Sequence, residues 1–273
     1  MKTGICNLPL IPLRVEPSER AEMISQVLYG ELFDVLDEQS GWAQIRLLSD
    51  GYTGWCTGKM LQELPADLWQ ELSKARSYVT SAVLSHCHSA HGQLLLPAGS
   101  RLYGFLPATN VFTHYRAFGT DVIKEHWTWQ DSDKWLFENS KKTGRFIQTV
   151  NPSVLALRFM NAPYLWGGKS VFGIDCSGLV QVVFLMTGHS LPRDAKDQAL
   201  KGHLIRRLED ARPGDLAFFT NPEGRIIHVG IVFKDQQIIH ASGSVHIDKL
   251  DETGIFSASS NTYTHQLYQI RRI

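Results

Sequence analysis

Residues 164–181 read YLWGGKSVFGIDCSGLVQ, and the chain continues as VVFLMTGH to His189. Tyr164 to Gly168 is a loop by composition, since paired glycines interrupt both helix and strand. From Leu179 onward the run is almost wholly apolar, and Gly188 supplies a helix stop. A helix that is apolar all round must be buried. Asp175-Cys176-Ser177 therefore lies where a loop enters a buried helix. Asp175 suits the capping position. A thiol at the helix start feels the positive end of the backbone dipole, which favours thiolate.

Working outward, Asn151-Pro152-Ser153 opens a new unit, with Pro152 in the first turn of a helix. Beyond the buried helix, strands are expected at Asp215 to Phe219, Ile226 to Phe233 and Ile238 to Ala241. A helix followed by an antiparallel sheet is an α+β arrangement. In the other direction, residues 1–63 read as short strands. Trp42-Ala43-Gln44-Ile45-Arg46-Leu47 alternates between turn signals at Asp37 to Gly41 and Asp50-Gly51, which suggests a small barrel. The pattern GWAQIRL, DG, YTGWC resembles the bacterial SH3-like barrel. Leu64 to Ser77 reads as a helical connector, with Asp67 able to cap it and Leu68 and Leu72 on one face. Residues 64–150 hold this connector and a second, divergent SH3-like barrel, with Trp127, Trp129 and Trp135 as core or groove material. Residues 151–273 form the last domain.

Composition bounds the function. The 273 residues are 43% hydrophobic and 20% charged, which is ordinary for a globular chain. Lys plus Arg and Asp plus Glu each number 27. That balance argues against gripping nucleic acid or an anionic membrane as the main task. No stretch is long and apolar enough for a membrane span. The first residues do not read as a secretory signal, which leads to an expected cytoplasmic location, or a periplasmic one if a signal has been removed. Oligomeric state is not legible. The four cysteines, Cys6, Cys56, Cys87 and Cys176, are widely spread and are expected to be reduced.

Two histidines complete a chemical pattern with Cys176. His228 lies in RIIHVGIVF and His240 in QIIHAS. A thiolate, a base that takes and returns its proton, and a group that orients the base form a generalised triad. Hairpin geometry tests it. A two-residue loop would put His240 opposite Ile231 and turn the two histidines to opposite faces. A three-residue loop, Lys234-Asp235-Gln236, would put His240 opposite Gly230 and on the face of His228. The triad thus requires an odd-length loop or a bulge, and Gly230 leaves room beside the rings.

YLWGGKSVFGIDCSGLVQ, LPRDAKDQ, RPGDLAFF, IIHVGIVF and IIHAS, in that order, resemble the NlpC-type cysteine peptidase family. With upstream SH3-like barrels, the combination resembles the γ-D-glutamyl-L-diamino-acid endopeptidases. The resemblance implies a papain-like catalytic domain, α+β, acting on murein stem peptides and needing no cofactor or metal. It assigns Cys176 as nucleophile, His228 as general base and His240 as the orienting member. The flanking Asp175 and Ser177 match substrate-holding positions, for the free L-Ala ammonium and the D-Glu carboxylate. Tyr164 and Trp166 match aromatic walls, and Tyr164 matches an oxyanion contact. Arg193 and Asp194 match the Arg-Asp pair after the helix, although Ala195 stands where the family often has serine. Glu31 and Tyr52 match residues of the first barrel that bind the free amine, which implies action on trimmed peptides during wall recycling.

Two other functional classes stay open at this level. A peptidase-like binding module would lack the intact Cys176, His228 and His240. A superfamily acyltransferase is disfavoured by the polar pair around Cys176. His86-Cys87-His88, with His91, invites a metal reading, but in a strand Cys87 points away from both histidines. Gly167-Gly168 is not a phosphate loop, because Gly168-Lys169-Ser170 does not stand at the P-loop spacing.

Overall fold

Alternating apolar residues set the first sheet. In Trp42–Leu47, Ala43, Ile45 and Leu47 face inward, while Arg46 is exposed. The computed structural model describes residues 2–106, 108–118, 121–130, 136–139 and 150–273. The chain divides near residue 147 into two compact units. In the first, seven antiparallel strands run in the spatial order Met23–Leu28, Leu10–Arg14, Thr53–Thr57, Trp42–Leu47, Leu32–Gln39, Thr3–Ile5 and Gln62–Leu64. Ile11, Leu13, Val27, Phe33, Ile45 and Leu47 form its core together with the thiols of Cys6 and Cys56. Those two cysteines are packing residues in an apolar interior.

A second seven-stranded antiparallel sheet occupies the rest of that unit. Trp127 and Trp129 lie in its core with Phe105, Phe112 and Cys87. Trp135 falls outside the described residues. His86 is exposed and His88 half-buried in the strand Leu84–Ser89, while Cys87 points into the core, as alternation requires. The connecting helix spans Ala66–Lys74 and begins after Pro65. Asp67 is thus inside the first turn and not its cap. It still lies where a negative charge suits the helix dipole. Leu68 and Leu72 join Ile5, Leu32, Leu64, Tyr103 and Tyr115 in a cluster shared by the two sheets.

The second unit is built around the helix Cys176–Met186, in which every residue is buried. Burying each large aliphatic or aromatic side chain is worth about 1.5–3 kcal/mol relative to exposure. This explains why the apolar run is a packed helix and not a surface one. It lies against the strands Ile226–Phe233 and Gln237–Ser242, with the short helix Pro152–Ala156 alongside. Asn151 caps that short helix by accepting from the Ser153 N–H at 2.9 Å, with Pro152 in its first turn as expected.

The sheet holds more strands than the three expected. Its order is His203–Ile205, Thr262–Arg272, Leu216–Thr220, Ile226–Phe233, Gln237–Ser242, Ser244–Leu250 and Gly254–Ser257. Gly254–Ser257 pairs back onto Thr262–Arg272, which closes six strands into a barrel. Closure removes the open edges that a flat sheet would leave.

The hairpin between the two histidine strands has the three-residue loop. Ile231 pairs with Ile239, Val232 with Ile238 and Phe233 with Gln237. Asp235 and Gln236 in the loop take positive φ values of 55° and 56°. Continuing that register sets Gly230 opposite His240. A Cβ at Gly230 would lie 2.6 Å from Ile238 Cδ1 and 3.0 Å from the His240 Cβ. We expect Gly230→Ala to lower stability by about 1–3 kcal/mol through this overpacking. Urea denaturation reads the change, and an unaltered midpoint would contradict the register.

Candidate active site

Cys176 is the first residue of its helix, and Asp175 caps it. The Asp175 carboxylate is heavily used. Oδ1 accepts from the Gly178 N–H at 2.7 Å, from Ser177 Oγ at 3.2 Å and from Arg193 Nη1 at 3.0 Å. Oδ2 accepts from the Gly167 N–H at 2.8 Å and from Arg193 Nη2 at 2.5 Å. Arg193 Nη1 also donates to Ser177 Oγ at 2.8 Å. A carboxylate offers about four lone-pair sites, so these five donors occupy it fully. Arg193 is 2% exposed, and a buried guanidinium needs such a paired carboxylate.

The glycines explain how the loop meets the helix. A side chain at Gly178 would collide with the Gly168 carbonyl oxygen, 2.3 Å from the position of its Cβ. Gly168 in turn packs on the Gly173 carbonyl at the same close range. Gly167 adopts φ +78°, where a side chain is costly. The paired glycines therefore let the loop backbone lie directly on the helix start.

Cys176 is 7% exposed, whereas Leu179, Val180, Val182 and Val183 on the same helix are fully covered. Burial pushes its thiol up to about 11, and the neighbouring Asp175 carboxylate adds to the rise. Backbone N–H groups of Val229 and Ser177 act the other way, but less strongly. The Ser177 N–H at the helix start favours thiolate, as the dipole expectation has it, but desolvation outweighs it. The resting thiol thus keeps its proton until a base removes it. The Val229 contact sets the sulfur beside the strand of His228, the preceding residue.

His228 Nε2 and His240 Nδ1 are 2.9 Å apart, with the rings nearly perpendicular. His240 Nε2 lies 3.3 Å from Asp248 Oδ2. A carboxylate only accepts, so His240 carries its proton on Nε2. Its Nδ1 is then a lone pair that accepts from His228 Nε2–H. The Nδ1 of His228 is consequently left as a lone pair, the form a general base needs. Asp248 was not singled out in the sequence. Its signal was available: two residues after His246, on the strand that pairs with the His240 strand, it shares a face with His246, which lies opposite His240. His265 was also missed. It stacks on His228 with ring centroids 4.1 Å apart.

The remaining expected residues are placed as follows. Tyr164 is half-buried close to Cys176 and Asp175; desolvation first, then its acidic neighbours, pushes its hydroxyl up to about 12. Trp166 is 58% exposed, which suits a wall open to solvent. Asp194 precedes the short helix Ala195–Gln198 and caps it through its backbone carbonyl, which accepts from the Asp197 and Gln198 N–H groups. Glu31 and Tyr52 belong to the first unit. Glu31 is buried, with Oε2 accepting from the Leu28 N–H at 2.8 Å and Oε1 from Ser49 Oγ at 2.9 Å. Tyr52 is half-buried after the Asp50-Gly51 turn. His86, Cys87 and His88 do not converge on one point; among the described residues, the group close enough to share an ion is His240, His246 and Asp248.

Residues 161–269 match the NlpC/P60 family, and residues 13–59 match the bacterial dipeptidyl-peptidase SH3 domain. The chain is 28% identical over 268 residues to the gamma-D-glutamyl-L-lysine dipeptidyl-peptidase of Bacillus subtilis, covering 91% of this chain and 80% of that one. It is 38% identical over 148 residues to a probable endopeptidase of Haemophilus influenzae, covering 50% of this chain and 87% of that one. A crystal structure of an NlpC/P60 family protein from Bacillus cereus has the same fold, with a TM-score of 0.81 at 18% identity and 99% of each chain covered. The chain belongs to the NlpC/P60 family. It is a cysteine peptidase of that family with an N-terminal SH3-like domain.

The histidine cluster makes stability depend on pH. Burial holds His228 well below the ordinary histidine value, lowers His240 and brings His265 to about 4. Each folded-state value lies below that of the unfolded chain, so the unfolded chain takes up protons first on acidification. This contribution is fully present above pH 6.5 and is lost as pH falls toward about 4. We expect the urea midpoint to drop across that window, and His265→Asn to make the drop shallower. A midpoint that stays constant from pH 6.5 to 4 would contradict the burial of these rings.

Proposed function

We propose that this peptidase hydrolyses the bond between γ-D-glutamate and L-lysine or diaminopimelate in murein stem peptides that carry a free N-terminal L-alanine. The observation that carries the reading is the hydrogen-bond chain from Asp248 through His240 to His228, next to a thiol at a helix start. The relatives named as γ-D-glutamyl-L-lysine dipeptidyl-peptidases support the substrate class.

In this reading His228 Nδ1 takes the Cys176 proton as the sulfur attacks the γ-glutamyl carbonyl. The backbone N–H of Cys176 and the Tyr164 hydroxyl stabilise the oxyanion. The imidazolium of His228 then protonates the leaving amine, and a thioester remains. Water, deprotonated by His228, attacks the thioester and releases the glutamyl product. Ser177 and Arg193, joined in one buried network with Asp175, favour a site that reads charged groups beside the scissile bond. Tyr164 and Trp166 wall it, and Asp194 supports the loop that carries Arg193. A requirement for a free amine, assigned by resemblance to Glu31 and Tyr52, restricts the enzyme to trimmed peptides and suits a recycling role.

Cys176→Ala is expected to abolish release of the L-Ala-γ-D-Glu dipeptide from L-Ala-γ-D-Glu-L-Lys, as read by mass spectrometry, without loss of fold. Acetylating the substrate amine is expected to lower kcat/KM by about tenfold or more, the scale of one lost charged contact. Full turnover by the alanine variant would reject the nucleophile. Equal rates on blocked and unblocked peptide would reject the amine requirement.

A further inference from the structure

Asp248 Oδ2 is shared by two histidines. It lies 3.3 Å from His240 Nε2 and 3.1 Å from His246 Nε2. Those separations match the ligand-to-ligand spacing of a tetrahedral ion with bonds of about 2.0–2.1 Å. All three potential ligand atoms lie within 4.8 Å of one another. An outer layer is present as well. A metal-bound histidine usually hands its second ring nitrogen to a carbonyl, a carboxylate or another polar partner. His246 Nδ1 lies 2.8 Å from the Ser244 carbonyl oxygen, and His240 Nδ1 lies 2.9 Å from His228. Access exists on one side, since the His246 side chain is 33% exposed while that of His240 is 1%.

We propose that His240, His246 and Asp248 form a binding site for a divalent transition-metal ion such as Zn²⁺, and that occupancy switches the peptidase off. The switch rests on the reading of His228 as the general base; the site itself does not. Zn²⁺ takes the lone pair of His240 Nε2, so the proton there must leave. A neutral His240 then carries its proton on Nδ1 and donates to His228 Nε2 instead of accepting from it. His228 exchanges its Nε2 proton for one on Nδ1, so each ring keeps one proton in total. His246 keeps Nδ1–H on the Ser244 carbonyl, releases to solvent the Nε2 proton it had donated to Asp248, and gives the freed Nε2 lone pair to the ion. The lone pair that would accept the Cys176 proton is gone, although no metal–sulfur bond has formed. His246 donates to Asp248 in the metal-free protein but stands outside the proton relay, so its removal should spare basal turnover.

The test uses the full chain and Zn²⁺ alone. Calorimetric titration of the Cys176→Ala protein should show one tight site, weakened by about 10–100-fold in Cys176→Ala carrying His246→Ala or His246→Asn. With intact Cys176, Zn²⁺ should inhibit stem-peptide hydrolysis, and either His246 variant should need a correspondingly higher concentration. Unchanged binding in both His246 variants, or binding lost with Cys176→Ala alone, would overturn the site. Tight binding to the alanine protein with no inhibition of the active one would overturn the switch. If the active protein cleaves no stem peptide, the substrate reading fails, while calorimetry still decides the site.

Discussion

The direction of one hydrogen bond governs the site. His228 donates from Nε2 to His240 because His240 must spend its own proton on the Asp248 carboxylate. Reversing that bond would leave every heavy atom in place and remove the base. The barrel around it serves this direction. The loop Lys234-Asp235-Gln236 brings both histidines to one face, and the pairing of the next strand sets His246 opposite His240, with Asp248 two residues farther on the same side. Desolvation then keeps His228 and His240 neutral, so the tautomer is defined.

The opposite wall depends on a different balance. Arg193 and Asp175 are both buried, and each makes the other tolerable there. Their network fixes the first turn of the Cys176 helix and holds Ser177 against it. One carboxylate therefore caps a helix, anchors a loop through the Gly167 N–H and neutralises a guanidinium. Burial also raises the thiol, so the chemistry needs a base poised to accept its proton and cannot rely on a standing thiolate.

Much of this was legible in residues 164–189 and in the histidine strands. Periodicity marked the buried helix, and the odd-loop requirement followed from strand alternation alone. What escaped was of two kinds. His265 acts on His228 from far along the chain, so no local pattern announces it. Asp248 stands only two residues after His246, and its role emerges from the register of the next strand. Barrel closure depends on Gly254–Ser257 returning to Thr262–Arg272, a pairing that hydrophobic alternation does not specify. Helix ends were also less legible: with Pro65 directly before the helix, Asp67 falls into the first turn. Asp175 and the Arg193-Asp194 pair were each named by resemblance, but that Asp175 would pair with Arg193 and take five donors could be seen only in three dimensions.

The most direct test of the account is the imidazole nitrogen spectrum of the resting enzyme near neutral pH. Two-bond proton–nitrogen correlations of ¹⁵N-labelled histidine separate the two neutral tautomers of each ring. The account predicts His228 and His240 both protonated at Nε2, with His228 Nδ1 showing the shift of an unprotonated ring nitrogen. A proton found on His228 Nδ1 would contradict it.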